Sequence, residues 1–173
     1  MNTHSVFLPS AKSHGVVPDK AALERFSIYA DMLIAKNSVM NLTSVDDPEG
    51  IYLRHFADSL ALYSFLPDTP FAAIDVGCGA GFPGLPLKII RPDMRLILLD
   101  STGKKVDFLR EVTAALSLKG VEFVNARAED AARQHMRLTV CMEMYNNKNQ
   151  NTLRRLHSRS RQYSAPSARL PQT

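Results

Sequence analysis

One carboxylate and four glycines crowd a single stretch of this chain. Ile74-Asp75-Val76-Gly77-Cys78-Gly79-Ala80-Gly81-Phe82-Pro83-Gly84 sets Gly77, Gly79, Gly81 and Gly84 within eight positions, just after Asp75. Glycine turns where a Cβ would be strained and lets backbone come close to a ligand. A short apolar run, Phe71 to Ile74, precedes the loop, and Pro83 stands near the start of a helical pattern. The spacing therefore predicts a strand, a tight glycine loop and a helix N-terminus. That arrangement aims backbone at a nucleotide-like ligand.

Other residues suit the same chemistry. Asp100 ends a second apolar run, where a carboxylate can accept hydrogen bonds from two ribose hydroxyls or can cap the helix that follows Ser101-Thr102-Gly103. Ala128-Glu129 lies just beyond a third run, at the expected adenine edge, where an amide and a carboxylate can read a purine. His55 and Asp58 stand three apart on a helical pattern and are expected to share a face, as an acid–base or RNA-contact pair, or else as a surface ion pair or a helix–domain contact. Cys78 reads as a small residue that fits the loop, because no His or Lys lies close in sequence to activate a thiol. The remaining histidines, His4, His14, His135 and His157, show no metal-ligand spacing, so no metal site is expected. No nucleophile with a partnered base is visible, and no catalytic residue is assigned.

The elements that must position these residues follow from periodicity. Asp19 to about Lys36 reads as an amphipathic helix, with Leu23, Phe26, Ala30 and Leu33 at three- and four-residue steps. Asn37 to Asp47 reads as a loop. Pro48-Glu49 opens a second helix, which ends before the turn-rich Pro67-Asp68-Thr69-Pro70. Residues 1–70 thus form a helical cap. From Phe71 strands and helices alternate: strand 71–76, helix 83–90, strand 95–99, helix 103–116, strand 121–125. Such alternation predicts an α/β fold with a parallel sheet and right-handed crossovers. Residues 71–132 form a partial Rossmann-like domain.

Composition bounds the rest. The chain has 173 residues, enough for one domain with a sizeable core. No apolar run approaches the roughly 20 residues that span a bilayer, and no signal peptide is read, so no membrane is expected. Two cysteines make no disulfide framework, and a reduced, cytoplasmic protein is the default. The net charge of +4 is unevenly spread. Residues 1–132 hold 13 basic and 16 acidic residues, a net of −3, whereas residues 133–173 hold 8 basic residues and only Glu143, a net of +7. This basic tail (133–173) is poor in large apolar residues and is expected to be disordered.

Two ligand classes fit the loop. Gly79-Ala80-Gly81-Phe82-Pro83-Gly84 satisfies the dinucleotide fingerprint, with Asp100 about 20 residues on. The same stretch also resembles the acid-x-Gly-x-Gly-x-Gly loop of S-adenosylmethionine-dependent methyltransferases. Gly77 and Asp75 belong to that second pattern and favour it. An NAD-type domain remains the first alternative. A non-catalytic RNA-binding remnant, using the basic tail, is the second.

Ordered motifs carry a narrower resemblance. Asn41-Leu42-Thr43-Ser44, Arg54-His55-xx-Asp58-Ser59-Leu60, the glycine loop through Leu87, Leu98-Leu99-Asp100-Ser101-x-Gly103-Lys104-Lys105-x-x-Phe108-Leu109 and Ala126-Arg127-Ala128-Glu129 follow in sequence. Over about residues 19–132 the chain resembles the bacterial 16S rRNA guanine-N7 methyltransferase G family, also called glucose-inhibited division protein B. The resemblance implies a Rossmann-like class I methyltransferase fold with S-adenosyl-L-methionine as cofactor and 16S rRNA of the small ribosomal subunit as partner; a monomer is the expected state. It implies cofactor contacts at Gly77, Phe82, Ala128 and Glu129, to which the loop pattern adds Gly79, Gly81 and Asp100.

After Asp130 the family pattern fades. Leu138 to Tyr145 stands where a fourth strand belongs, and strands five to seven of the family have no counterpart. The abrupt change in charge resembles translation in a wrong reading frame. On that reading the first strand becomes a hydrophobic edge and the chain transfers methyl groups weakly or not at all.

Overall fold

A computed structural model describes residues 3–132 and 140–142; the expectations for the basic tail lie outside these residues, save for 140–142. The helical layer begins earlier than the sequence suggests. Helix α1 (His4–Ser13) buries Phe7 and Ala11, a stripe too short to register as a periodic pattern. Helix α2 (Lys20–Met40) is capped by Asp19, whose side chain accepts the Ala22 amide at 2.7 Å. It buries Ala22, Phe26, Tyr29, Ala30 and Leu33 along one stripe. It also runs four residues beyond the expected loop start at Asn37. Asn37 is helical and uses its side-chain oxygen to accept the Thr43 amide at 2.8 Å, and Asn41 ends the helix at φ 50°.

Asp47 caps the next segment by accepting the Gly50 amide at 2.6 Å, with Pro48 at the first helical position. The rod that follows is α3 (Pro48–Gly50), a π segment (Ile51–Ala57) and α4 (Asp58–Leu60), then a single 3-10 turn (Tyr63–Phe65). The sequence predicts one regular helix here. The wider π turn changes which residues stack above one another.

The α/β layer matches its expected elements closely. It consists of β1 (Ala72–Val76), α5 (Gly84–Ile90), β2 (Arg95–Asp100), α6 (Gly103–Ala115), β3 (Val121–Asn125), α7 (Ala128–Ala132) and β4 (Val140–Met142). The sheet is parallel throughout, in the order β3-β2-β1-β4. Ala73, Ile74 and Asp75 pair with Val140, Cys141 and Met142. So β1 is not the exposed edge expected for it; β4 covers it over three residues.

Strand alternation divides the sheet between two faces. Ala73, Leu96 and Leu98 join one large core with Phe7, Phe26, Tyr29, Phe56, Leu85 and Leu109. Ile74, Ile97 and Leu99 face the other way and pack with Ala131 of α7. At the centre of the large core Phe56 meets Phe26 at 4.9 Å, Tyr52 at 5.1 Å and Tyr29 at 5.2 Å between ring centroids. A buried lysine fixes the turn from α5 into β2. Lys88 donates to the carbonyls of Pro92, at 2.9 Å, and Met94. Burial lowers its pKa.

Phe56 joins helical layer and sheet, so its removal tests their union. Phe56→Ala is expected to destabilise the chain by about 3–5 kcal/mol, the range for a fully buried aromatic. Urea unfolding measures it; a loss under about 1 kcal/mol would mean that the two layers do not share a core.

Candidate functional site

The glycine loop leaves β1 and turns back over the sheet. Gly77, Gly79 and Gly81 have φ of 70°, 55° and 105°, conformations that side chains other than glycine rarely adopt. The amides of Gly77 and Cys78 donate to the Leu99 carbonyl at 2.8 and 3.1 Å, which ties the loop to β2. Gly81 closes a turn by donating to the Cys78 carbonyl at 2.6 Å. A Cβ on Gly81 would stand 2.6 Å from the Tyr29 hydroxyl and 2.7 Å from Leu85. A Cβ on Gly77 would meet nothing within 4 Å. The first glycine thus opens onto space and the third permits close packing.

Two carboxylates hold the loop from opposite sides. Asp75 is fully buried, and its Oδ2 accepts the Gly84 amide at 2.8 Å. Among the described residues its Oδ1 has no partner. Burial pushes its pKa well above the usual carboxylate range; the Gly84 amide opposes that rise and Asp100 adds to it. Asp100 ends β2. Its Oδ2 accepts the Gly79 amide at 3.0 Å, its Oδ1 the Thr102 amide at 2.8 Å, and its carbonyl accepts from the Asn125 side chain at 2.9 Å. Thr102 is the N-cap of α6 and makes no side-chain cap bond, so Asp100 does not cap the helix; it closes the turn before it and ties down the glycine loop. Each carboxylate oxygen still has acceptor capacity, because it offers about two lone-pair sites.

A cavity of about 390 Å³ opens at the carboxyl ends of β1, β2 and β3. Val76, Gly77, Leu99, Asp100, Ser101, Ala126, Arg127, Ala128 and Glu129 line it. Four of the residues singled out by sequence, Gly77, Asp100, Ala128 and Glu129, thus meet in one place. Gly79, Gly81 and Phe82 do not line the cavity; they shape the loop behind it. Ala128 and Glu129, just beyond β3 as expected, open helix α7. Arg127 and Ser101 stand within the ordered motifs of the sequence but are not among the expected site residues; the cavity adds them.

Phe82 lies against the helical layer. Its ring stacks on His55 at 4.5 Å and 11°, and on Tyr29 at 5.6 Å and 21°. Thr43 Oγ1 lies 2.6 Å from His55 Nε2. Burial, with the Arg54 cation beside it, lowers the His55 pKa, so the ring is neutral at neutral pH. His55 and Asp58 do not act as a pair on one face; for His55 the structure shows the other expectation, a contact from the helix to the α/β domain through Phe82. The imidazole faces Phe82 and Thr43, and the Asp58 carboxyl interacts with His14. The π turn between them removes the α-helical register on which a shared face rests. Cys78 is buried, and burial together with Asp75 and Asp100 raises its pKa, so it is a packed thiol. Among the described residues no cluster of His, Cys, Asp and Glu is arranged to hold a metal, and no helix is long and apolar enough to cross a membrane.

A parallel sheet with helices on both faces, a glycine loop after β1 and an acid at the end of β2 define a Rossmann-like class I methyltransferase fold. The sequence model of the family described as GidB, rRNA small subunit methyltransferase G, matches residues 22–156. The chain belongs to this family. The match runs past residue 132, where the motifs legible by eye stop. Curated relatives named ribosomal RNA small subunit methyltransferase G agree. The one from Desulfitobacterium hafniense is 52% identical over 118 residues, covering 68% of this chain and 48% of the relative. That from Lachnoclostridium phytofermentans is 44% identical over 135 residues, covering 78% and 56%. That from Roseiflexus sp. is 45% identical over 128 residues, covering 74% and 55%. The chain spans about half the length of the curated relatives it matches.

The unpartnered oxygen of Asp75 gives a pH signature. Its folded pKa lies above the unfolded 3.8, so the folded state keeps a proton that the unfolded chain has already lost. That contribution to stability is complete below the unfolded value and declines as pH rises through the folded one. Asp75→Asn removes the titration. Its unfolding free energy relative to the parent is therefore expected to rise between about pH 4 and about pH 7 in urea denaturation. A difference that stays constant over this range would show that the carboxyl does not titrate there.

Proposed function

We propose that this chain carries the S-adenosylmethionine site of a methyltransferase that modifies nitrogen 7 of a guanine in 16S rRNA. The observation that carries the reading is the meeting of Gly77, Asp100, Ala128 and Glu129 around one cavity at the ends of three parallel strands, in a chain of this family. The donor set fits the cofactor. Gly77 takes a φ of 70°, which favours glycine, and its backbone opens onto the cavity. Asp100, at the end of β2, has acceptor capacity for two ribose hydroxyls. Glu129 and the Ala128 amide, at the start of α7, suit the amino group and ring nitrogens of an adenine. Gly79, Gly81 and Phe82 hold the loop in shape around the methionine end. On this reading residues 1–70 are the cap that supports the loop, and residues 71–132 carry the cofactor. The family assignment favours this cofactor over a dinucleotide. The same reading sets the protein in the cytoplasm, as a monomer, with the small ribosomal subunit as partner.

When bound, S-adenosylmethionine supplies an electrophilic methyl group. The residues of this chain have the task of orientation. Guanine nitrogen 7 has a free lone pair and no proton to lose, so no general base is required. Proximity and alignment suffice for a reaction of this type. The site suits that demand: Asp100 is clamped by two backbone amides and cannot swing.

Calorimetry with the purified chain tests the cofactor. S-adenosylmethionine is expected to bind and NADH not to. Asp100→Asn is expected to weaken binding at least tenfold, about 1.4 kcal/mol, because the carboxylate holds both loop and ribose. NADH binding without S-adenosylmethionine binding would overturn the reading. Incorporation of labelled methyl into small-subunit RNA tests the substrate.

A further inference from the structure

We propose that Tyr29 is a positioning residue for the glycine loop. From the helical layer, its hydroxyl holds the Ala80 carbonyl and so sets the loop conformation that receives the cofactor. The proposal rests on the cofactor reading above for the ligand, but not for the loop.

The loop is tethered at its two ends by groups already described. Leu99 and Asp100 hold Gly77, Cys78 and Gly79 on the β2 side. Asp75 holds Gly84 on the α5 side. Between them the chain must cross Ala80 and Gly81, with Gly81 at φ 105°. Tyr29 meets this crossing from α2, 51 residues away in sequence. Its hydroxyl donates to the Ala80 carbonyl at 2.5 Å. The same oxygen would stand 2.6 Å from a Cβ on Gly81, so the missing side chain at 81 and the phenol at 29 interlock. The ring stacks on Phe82 at 5.6 Å and packs on Phe56 at 5.2 Å. Three consecutive loop residues therefore rest on one side chain.

Tyr29 is fully buried, and a hydroxyl there has no water to turn to. Burial above all, and the titratable Asp75 and Cys78 beside it, raise its pKa, so the phenol keeps the proton it donates. A residue that merely filled this volume would need no hydroxyl. Phenylalanine has the same ring and would stack equally well on Phe82 and Phe56. The proposal and simple packing therefore differ by one atom.

The experiment is Tyr29→Phe in the full 173-residue chain, read by amide hydrogen exchange and by calorimetry with S-adenosylhomocysteine. Amides of Gly79, Gly81 and Phe82 are expected to exchange at least about fivefold faster, while those of β3 keep parental rates. Affinity is expected to fall by about 5- to 30-fold, as when a buried carbonyl is left without its donor. Phe7→Leu loosens the same helical layer without touching the loop, and serves as the matched control. Parental exchange in Tyr29→Phe, or equal loop exchange in Phe7→Leu, would overturn the proposal. If the parent chain binds no S-adenosylhomocysteine, the cofactor reading fails, and loop exchange alone decides what Tyr29 does.

Discussion

The fully buried carboxylate of Asp75, holding the Gly84 amide at 2.8 Å, is the contact on which the site depends. It joins the last turn of β1 to the first turn of α5 and leaves the glycines between them only one compact path. A Cβ on Gly84 would stand 2.7 Å from the same oxygen, so the residue at 84 is fixed by the residue at 75. Burying a carboxyl is costly unless its charge is neutralised or bonded. Here one oxygen is bonded and the other is not, and the raised pKa is the physical result. Such a group survives in a core when the loop it shapes is needed. Asp75 does not line the cavity; it acts through the path of the chain. Asp100, one strand over, completes the clamp from the open side.

Much of this was legible in the sequence, for a clear reason. Each strand of the sheet is short, apolar and bounded by turn residues, so β1, β2 and β3 stand within a residue or so of their expected limits. Their carboxyl ends then had to carry the loop, Asp100 and the segment at Ala128. Local pattern fails where the determinant is distant. Asn37 reads as a loop former, yet its side chain is taken up by the Thr43 amide and α2 continues. His55 and Asp58 read as neighbours on a regular helix, and the π turn separates them. Tyr29 is not singled out by the spacing of Leu23, Phe26, Ala30 and Leu33 in α2. Its part in the loop depends on a contact with Ala80 that no local spacing announces.

These misses lie on one boundary, between the helical layer and the loop. Tyr29, Phe82 and His55 form a column of near-parallel rings across it. Thr43 holds the outer end through the imidazole, and Phe56 supports the inner end. Aromatic pairs of this kind contribute about 0.5–1.5 kcal/mol each beyond their burial. The sum is large against the few kcal/mol that separate folded from unfolded chains. The helical layer is therefore part of the site's framework: it presses on the loop from beneath while the strands hold it from the side. Phe82, expected as a direct cofactor contact, fits this place better as the loop residue that receives that pressure.

The cavity draws on a narrow part of the chain. Its lining residues run from Val76 to Glu129, all at the carboxyl ends of β1, β2 and β3 or just beyond them. β4 contributes differently, by pairing with Ala73, Ile74 and Asp75 and so covering the backbone of the strand that carries the loop. An uncovered β1 would leave Asp75 on an edge strand, open to water and to misplaced pairing. Three residues of a fourth strand thus matter to the site through the backbone, because they pair with the strand that carries Asp75 into the loop.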